Sequence, residues 1–435
     1  MERPIYLNEL IRKQHNGMVK VITGVRRCGK SYLLFNLFYG HLKKQNISDD
    51  HIITMAMDDI ENKEYRTPEK LYYYIKERIL DDEMYYVLLD EVQLVMNFEE
   101  VLNSLLKRKN VDIYVTGSNA KFLSKDIITE FRGRGDQVHV YPLSFSEFWE
   151  YYRQKHTGIV FPMSSPVSNG LADINSAWQE YITFGGMPGQ VTMDNVQDKS
   201  NYLKSLFDET YIRDIIDRNN VRNKAEIEEL IDIVASDIGS LTNPLKIANT
   251  FKTEKKVSVH QETIKNFLDY FEDAFLVSKA KRYDIKGRKY INTPMKYYFT
   301  DVGLRNARLD FRQIEETHLM ENVIYNELLI RGYNVDVGVV DHYYTDEDNQ
   351  RRQKKLEVDY VCNQGSNRLY IQSALSIPDK SKMEQEQSSL IKIRDSFRKI
   401  IIVKEGISHN SENGIYIMNL FDFLLNKNET GLYGI

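Results

Sequence analysis

Between the apolar run Val19–Thr23 and an amphipathic stretch at 31–41 stands the segment Gly24-Val25-Arg26-Arg27-Cys28-Gly29-Lys30-Ser31. It fits G-x-x-x-x-G-K-[ST] in the strand–loop–helix setting that gives the pattern its meaning. Gly24 and Gly29 let backbone N–H groups curl around phosphate oxygens, and the following helix adds the positive end of its dipole. Lys30 reaches the β/γ-phosphates and Ser31 ligates Mg²⁺. Residues Gly24, Val25, Arg26, Arg27, Cys28, Gly29, Lys30, Ser31 and Tyr32 are therefore the expected ATP-binding segment, with Cys28 a filler at a variable position. A chain that carries this loop must supply a parallel sheet around it.

The first 150 residues have that pattern. Short β-rich runs at 19–23, 52–57, 86–90, 113–116 and 138–141 are mostly uncharged, as strands buried on both faces should be. Between them, 31–41, 67–80 and 98–107 repeat apolar residues at three and four, and Thr67-Pro68 reads as an N-cap followed by proline in the first turn. Tyr85-Tyr86-Val87-Leu88-Leu89-Asp90-Glu91 is an apolar strand ending in two carboxylates, the Walker B form. Asp90 is expected to hold the Mg²⁺ shell and Glu91 to orient and polarise the attacking water. The extra strand between the two motifs favours the P-loop ATPases that use a catalytic glutamate.

Val115-Thr116-Gly117-Ser118-Asn119 ends the next strand, where Asn119 or Ser118 can sense the γ-phosphate; Asn119 is the preferred residue, against a plain helix-capping role. Phe131-Arg132-Gly133-Arg134-Gly135 puts two guanidiniums on a turn, so Arg132 and Arg134 are arginine-finger candidates, in cis or from a neighbouring copy.

Composition excludes several other classes. The 435 residues are 42% hydrophobic and 28% charged, with 58 Lys+Arg against 63 Asp+Glu, an ordinary globular balance with a net charge of −5. Two cysteines, Cys28 and Cys362, leave no disulfide framework and no Cys-based zinc spacing, and no two of the nine histidines form an H-x-x-x-H pair. The N-terminus lacks the apolar core of a secretory signal, and no apolar run approaches the ~20 residues of a membrane helix. A cytoplasmic protein with no membrane partner is expected.

The chain divides into an ATPase core at 1–150, a helical lid or connector at 151–222, a helix-rich segment ending in a hairpin at 223–311, and a second α/β unit at 312–435. Helices near 245–248 and 258–270 followed by that hairpin suit a helix-turn-helix with a wing, the winged-helix pattern. Across 276–296 seven cations (Lys279, Lys281, Arg282, Lys286, Arg288, Lys289 and Lys296) face one acid, Asp284, a local charge of +6. Such a wing suits double-stranded DNA, through Lys286, Arg288 and Lys289, and it suits a protein contact as well. The last segment reads as a helix at 320–331, strands at 335–340, 356–362 and 369–374, a helix at 382–396 and a strand at 400–403.

In this order, GVRRCGKS, LLDEVQ, TGSNAKFL, FRGRG, YPLSFSEFWEYY (141–152) and YITFGGMPG (181–189) resemble a prokaryotic family of AAA-type P-loop ATPases fused to a C-terminal domain of unknown function. The resemblance implies ATP binding and hydrolysis, homo-oligomers in some relatives, and a C-terminal region built from a winged helix and a restriction-endonuclease-like module. Glu327, Asp359 and Gln372 resemble the spacing of that module's site. Such a site needs two carboxylates for a divalent metal and a lysine beside the attacking water. Gln372-Ser373-Ala374 stands where an acid, a spacer and a lysine belong, so nuclease activity is not expected, and Glu357 could stand in for a ligand alone. The expected function is a Mg²⁺-dependent ATPase whose nucleotide state moves the C-terminal region, with DNA a candidate partner; the alternative is a nucleotide-gated binding or scaffold protein with negligible turnover.

Overall fold

A computed structural model describes residues 1–117, 131, 133–157, 173–254, 256–345 and 350–426. The chain forms two compact units. The first comprises 1–142 with 187–189 and 273–275; the second comprises 143–186, 190–272 and 276–435.

The first unit is built on five parallel strands: β1 (Val19–Thr23), β2 (Ile52–Ala56), β3 (Tyr85–Asp90), β4 (Val111–Thr116) and β5 (Gly135–His139). Their order across the sheet is β2-β3-β4-β1-β5. Parallel strands need helical crossovers, and these cover both faces. Helices α3 (Pro68–Glu77) and α4 (Phe98–Leu105) bury Leu71, Ile75, Val101, Leu102 and Leu105 against Val19, Val21, Val87, Leu89, Ile113 and Val115. On the other face α2, residues 30–44 with a π-helical middle at Leu33–Phe38, stacks Phe38 on Tyr114 with ring centroids 4.3 Å apart. Helix α1 (Pro4–Arg12) precedes the sheet.

Every residue of β1, β3 and β4 is buried. That includes Lys20 and Asp112, which form an ion pair between β1 and β4. Burial drives the Lys20 pKa down while Asp112 opposes it. Three sequence expectations are corrected here. The edge strand β5 begins at Gly135, three residues before the apolar run, because its pairing with β1 starts at Val19↔Gly135 and needs only backbone groups. Thr67 occupies the N-cap of α3 but its side chain makes no capping bond. Helix α4 ends at Leu105, two residues short of 107.

The second unit opens with helices α5 (Phe145–Thr157), α6 (Ile174–Phe184) and α7 (Val196–Ser205), and α5 and α6 share an aromatic cluster of Phe145, Phe148, Trp149, Trp178 and Tyr181. Helices α8 (Lys224–Ser236), α9 (Pro244–Glu254) and α10 (Gln261–Asp273) follow, with the short strand β6 (Leu241–Thr242) between the first two. The hairpin β7 (Val277–Asp284) and β8 (Lys289–Phe299) then leads through α11 (Val302–Arg308) into α12 (Glu316–Ile330). The remaining strands are β9 (Asn334–Thr345), β10 (Arg351–Gln364), β11 (Asn367–Ala374), β12 (Arg398–Val403), β13 (His409–Asn410) and β14 (Tyr416–Asn419), with α13 (Lys380–Ile391) and α14 (Leu420–Leu425).

These strands make one nine-stranded sheet in the order β13-β14-β12-β11-β10-β9-β7-β8-β6. The hairpin and the C-terminal strands thus share a sheet, joined where Arg282, Tyr283 and Asp284 pair in parallel with Val337, Gly338 and Val339. Strands β9 and β10 are longer than their apolar runs, pairing out to Thr345↔Arg351. That outer arm carries Tyr343, Tyr344, Arg351, Arg352, Lys354 and Lys355, all exposed, so it has no apolar alternation to betray it. Helix α12 begins at Glu316, four residues earlier than its apolar pattern. Helix α13 stops at Ile391 because the chain turns there toward β12.

Candidate nucleotide site

The loop after β1 has the backbone that its sequence demands. Gly24 (φ +140°) and Gly29 (φ +103°) lie in the region that favours glycine, and Arg27 shares it at φ +60°. At Gly24 the reason is steric as well, since a Cβ there would stand 2.1 Å from the Val140 carbonyl oxygen. Gly29 caps α2, directing the first free N–H groups of the helix to the loop. The Lys30 ammonium is buried and donates to the carbonyls of Gly24 (3.1 Å) and Val25 (3.0 Å), so it lies folded within the loop. Cys28 is buried, its Sγ 3.3 Å from the Val140 carbonyl, while its own carbonyl accepts a hydrogen bond from Arg3 (3.0 Å). Arg3 also donates to the carbonyls of Tyr141 (2.9 Å) and Pro142 (3.3 Å), tying the loop to the chain after β5. Arg26 is half-buried, whereas Arg27, Ser31 and Tyr32 are exposed.

Parallel pairing of β1, β4 and β3 brings the motif ends together. Asp90 is 5% exposed and takes hydrogen bonds from the hydroxyls of Thr116 and Ser31. Burial pushes its carboxyl up, those two bonds pull it down, and the charges of Glu91 and Asp58 push it up again. Thr116 Oγ1 in turn accepts the Glu91 N–H at 3.0 Å. Glu91 stands at φ +51° as the strand breaks into a turn, and its carboxylate takes a hydrogen bond from Gln93. A strained backbone at a residue of this kind is a common mark of a functional position. Ser31 and Asp90 offer hard oxygens side by side, a donor pair that fits Mg²⁺.

Thr116 links Asp90 to Glu91 and was not singled out from sequence. Its position at the end of β4, buried opposite Asp90, is the signal that only pairing reveals. His139 was missed as well: at the end of β5 it shares a hydrogen bond with Thr23 Oγ1 (3.0 Å), and burial first, then the Lys30 charge, hold its pKa down at about 4. An imidazole held there is neutral at pH 7. Asn119, Ser118 and Arg132 lie outside the described residues. Arg134 is exposed and precedes β5, its carbonyl accepting from Val19 N, at the opposite end of the sheet from the P-loop. The four-residue rise of β1 alone separates it from Thr23 by ~13 Å.

In the second unit the structure brings Asp359 and Gln372 together: Gln372 Nε2 donates to Asp359 Oδ1 at 3.0 Å, and Ser373 N and Oγ both reach Oδ2 at 2.8 Å. Glu327 is not part of this group; it accepts from Arg331 at 2.8 Å. The helix carboxylate here is Glu321, one helical turn and a half earlier on α12. The lysine missing from position 374 has a counterpart in Lys296 of β8, which sits 3.0 Å from Glu321 and 2.7 Å from Glu357. Burial opposes the Lys296 charge, but Glu321, Asp359 and Glu357 outweigh it and hold its pKa above the ordinary lysine value. Tyr298 adds a hydrogen bond to Glu321 at 2.6 Å. Burial, then the Glu321 charge, push Asp359 up to about 7. Among the described residues no group of three His, Cys, Asp or Glu is arranged to hold a metal ion.

The basic hairpin is also less basic than its sequence. Lys296 is consumed by these carboxylates, and Lys279 pairs with Glu272 (2.5 Å) and Asp269 (3.6 Å). Lys286, Arg288 and Lys289 remain exposed at its tip. No helix among the described residues is long and apolar enough to cross a membrane.

Strand order, loop and Walker B geometry define an AAA-type P-loop ATPase fold. A family profile described as an AAA domain matches residues 16–149, and one described as a domain of unknown function (DUF8612) matches 175–315. An "Uncharacterized protein" of Haemophilus influenzae is 32% identical over 98% of this chain and 98% of its own length. The "Uncharacterized protein MJ1544" of Methanocaldococcus jannaschii is 28% identical over 87% of this chain and 79% of its own. The chain belongs to the family of the Haemophilus protein, an AAA domain joined to a C-terminal domain of unknown function. Among solved structures, the Aeropyrum pernix ORC2 protein in its ADP form covers 72% of this chain and 92% of its own, with 12% identity and a TM-score of 0.34. The A. pernix ORC1 protein in complex with DNA covers 71% and 92%, with 10% identity and a TM-score of 0.31.

Proposed function

We propose that the chain is a Mg²⁺-dependent ATPase whose nucleotide state repositions its C-terminal region on double-stranded DNA. The observation that carries the ATPase reading is the hydrogen-bond chain Ser31–Asp90–Thr116–Glu91, which supports Ser31 and Asp90 as metal ligands and Glu91 as the carboxylate that acts on water. In this reading Ser31 and Asp90 hold Mg²⁺, which screens and orients the phosphates when bound. Gly24 to Tyr32 cradle the nucleotide, and Lys30 leaves the Gly24 and Val25 carbonyls for the β/γ-phosphates. Glu91 exchanges Gln93 for the attacking water and takes up its proton. Asn119 senses the γ-phosphate. Arg134, at the far end of its own sheet, acts on the nucleotide of a neighbouring copy, with Arg132 beside it in sequence, so the active form is a homo-oligomer.

The order α8–β6–α9–α10–β7–β8, with β6 paired to β8, supports a winged helix at 223–311, and the mixed sheet beyond it supports a restriction-endonuclease-like module at 312–435. Its carboxylates are neutralised by Lys296, which supports a structural role over nuclease chemistry. Lys286, Arg288 and Lys289 at the hairpin tip are the proposed duplex contacts.

Steady-state phosphate release from the purified chain, with and without duplex DNA, tests the proposal. Lys30→Ala should abolish nucleotide binding, while Glu91→Gln should keep binding and lose turnover. Release no greater than that of Lys30→Ala under every condition would instead make the chain a nucleotide-gated scaffold.

A further inference from the structure

Strands β7 and β9 pair only over Arg282–Asp284 and Val337–Val339. Before that point they part, and the opening is a cleft of about 560 Å³ in the second unit. This is a ligand-sized volume. Its walls carry three tyrosines, two of them paired, and three cations, Lys279, Lys281 and Arg368. Tyr283 and Tyr290 are cross-strand partners with ring centroids 5.4 Å apart at 63°. The Lys281 ammonium stands 5.7 Å from the Tyr290 ring centre, and the Arg368 guanidinium 5.3 Å from that of Tyr283. Arg368 is positioned by Asn363, whose Oδ1 accepts its Nε–H at 2.8 Å. Asp336 is the cleft's one carboxylate; it accepts the Tyr290 hydroxyl at 3.1 Å.

We propose that this cleft binds one nucleotide of a single-stranded nucleic acid. Lys281 and Arg368 take the phosphate from two sides, and the unpaired base stacks on Tyr290, which is 57% exposed. Asp336 and Asn334 face the base edge as acceptor and amide. A duplex cannot use this site, because its bases are stacked on one another and have no free face to offer the Tyr290 ring. Lys279, on the same wall, contributes no free charge because Glu272 and Asp269 hold it. The proposal does not rest on the duplex contacts at the hairpin tip. Lys286 lies in the turn that follows β7, five residues beyond Lys281, so the two sites can be separated by mutation.

Fluorescence anisotropy of the full chain with a labelled twelve-nucleotide oligo(dT) tests it, using Tyr290→Leu and Lys281→Ala. Tyr290→Leu should weaken oligo(dT) binding by about five- to hundredfold, the range for one stacked base. Lys281→Ala should weaken it and lower the salt slope by about one. Both variants should keep the wild-type urea midpoint of the second unit as well as wild-type binding of a fluorescent ATP analogue, which shows that both units are folded. Lys286→Ala with Arg288→Ala and Lys289→Ala should leave oligo(dT) binding in place even where duplex binding falls, so the two readings fail separately. Unchanged oligo(dT) affinity in both cleft variants would overturn the proposal. So would thymidine monophosphate competing as strongly as the oligomer on a molar basis, or a poly-glutamate peptide binding as tightly as oligo(dT).

Discussion

The two units each gather carboxylates and a lysine, the first at the ends of strands and the second within β8, β10 and α12, and they do opposite things with them. In the first, Lys30, Ser31, Asp90, Glu91 and Thr116 come from two short sequence segments and a strand end, and among the described residues the lysine bonds only to backbone carbonyls, which a phosphate can replace. In the second, Lys296 is spent on Glu321 and Glu357, and Asp359 is held by Gln372 and Ser373. The same residue types make a site where they face a loop and a joint where they face each other. A lysine whose only partners are loop carbonyls can be recruited; a lysine buried between carboxylates cannot leave without stranding them.

The largest effect that would test this contrast is on turnover. Glu91→Gln should cut phosphate release by about 10²–10⁴-fold, the usual worth of a positioned general base, with nucleotide affinity retained in an equilibrium binding measurement. Equal turnover would remove Glu91 from the chemistry. Next comes stability: Lys296→Met should cost about 3–5 kcal/mol by taking the ion-pair partner from the buried Glu321 carboxylate, read as a lower denaturation midpoint for the second unit, while ATP binding is unchanged. Should Lys296→Met prove stable, the cluster is no joint. Neutralising Lys286, Arg288 and Lys289 together should weaken duplex DNA binding and lower the magnitude of its logarithmic salt slope by about three.

The smallest effect per step of the measured variable is a pH slope. Asp359, pushed up to about 7, and Asp301, pushed up to about 6 by burial, hold protons in the folded chain that the unfolded chain releases near pH 4. Stability should therefore fall as pH rises from about 4 to 7, by up to about 1.4 kcal/mol per pH unit for each group within its own window. Asp359→Asn should flatten the upper part of that slope in urea melts taken between pH 5 and 7.

The nucleotide loop and the strand after it were legible because phosphate binding needs its residues contiguous: GVRRCGKS and LLDE each sit on one turn or strand end. Thr116 was quoted as part of its motif, yet its role depends on β3 and β4 lying side by side, which no spacing announces. Arg134 illustrates the same limit, since only the parallel register of β5 on β1 shows that it lies at the end away from Lys30. In the second unit the signal failed for a different reason. Lys296 belongs by sequence to a basic hairpin and by structure to a carboxylate cluster whose members extend to Ser373. The polar outer arm of β9 and β10 was invisible because period-two alternation marks a buried face, and this arm has none.

Cys28 lies inside the nucleotide loop and Cys362 in the core of the second unit, and both thiols are buried. The chain therefore carries two native reporters, one in each unit, and no others. Alkylation by a maleimide can proceed at either thiol only when its surroundings open, so mass-resolved labelling kinetics would clock the breathing of the loop and of the second unit's core separately, in unmodified protein. Nucleotide that tightens the loop would slow the first clock and leave the second to report whether anything beyond the ATPase core responds.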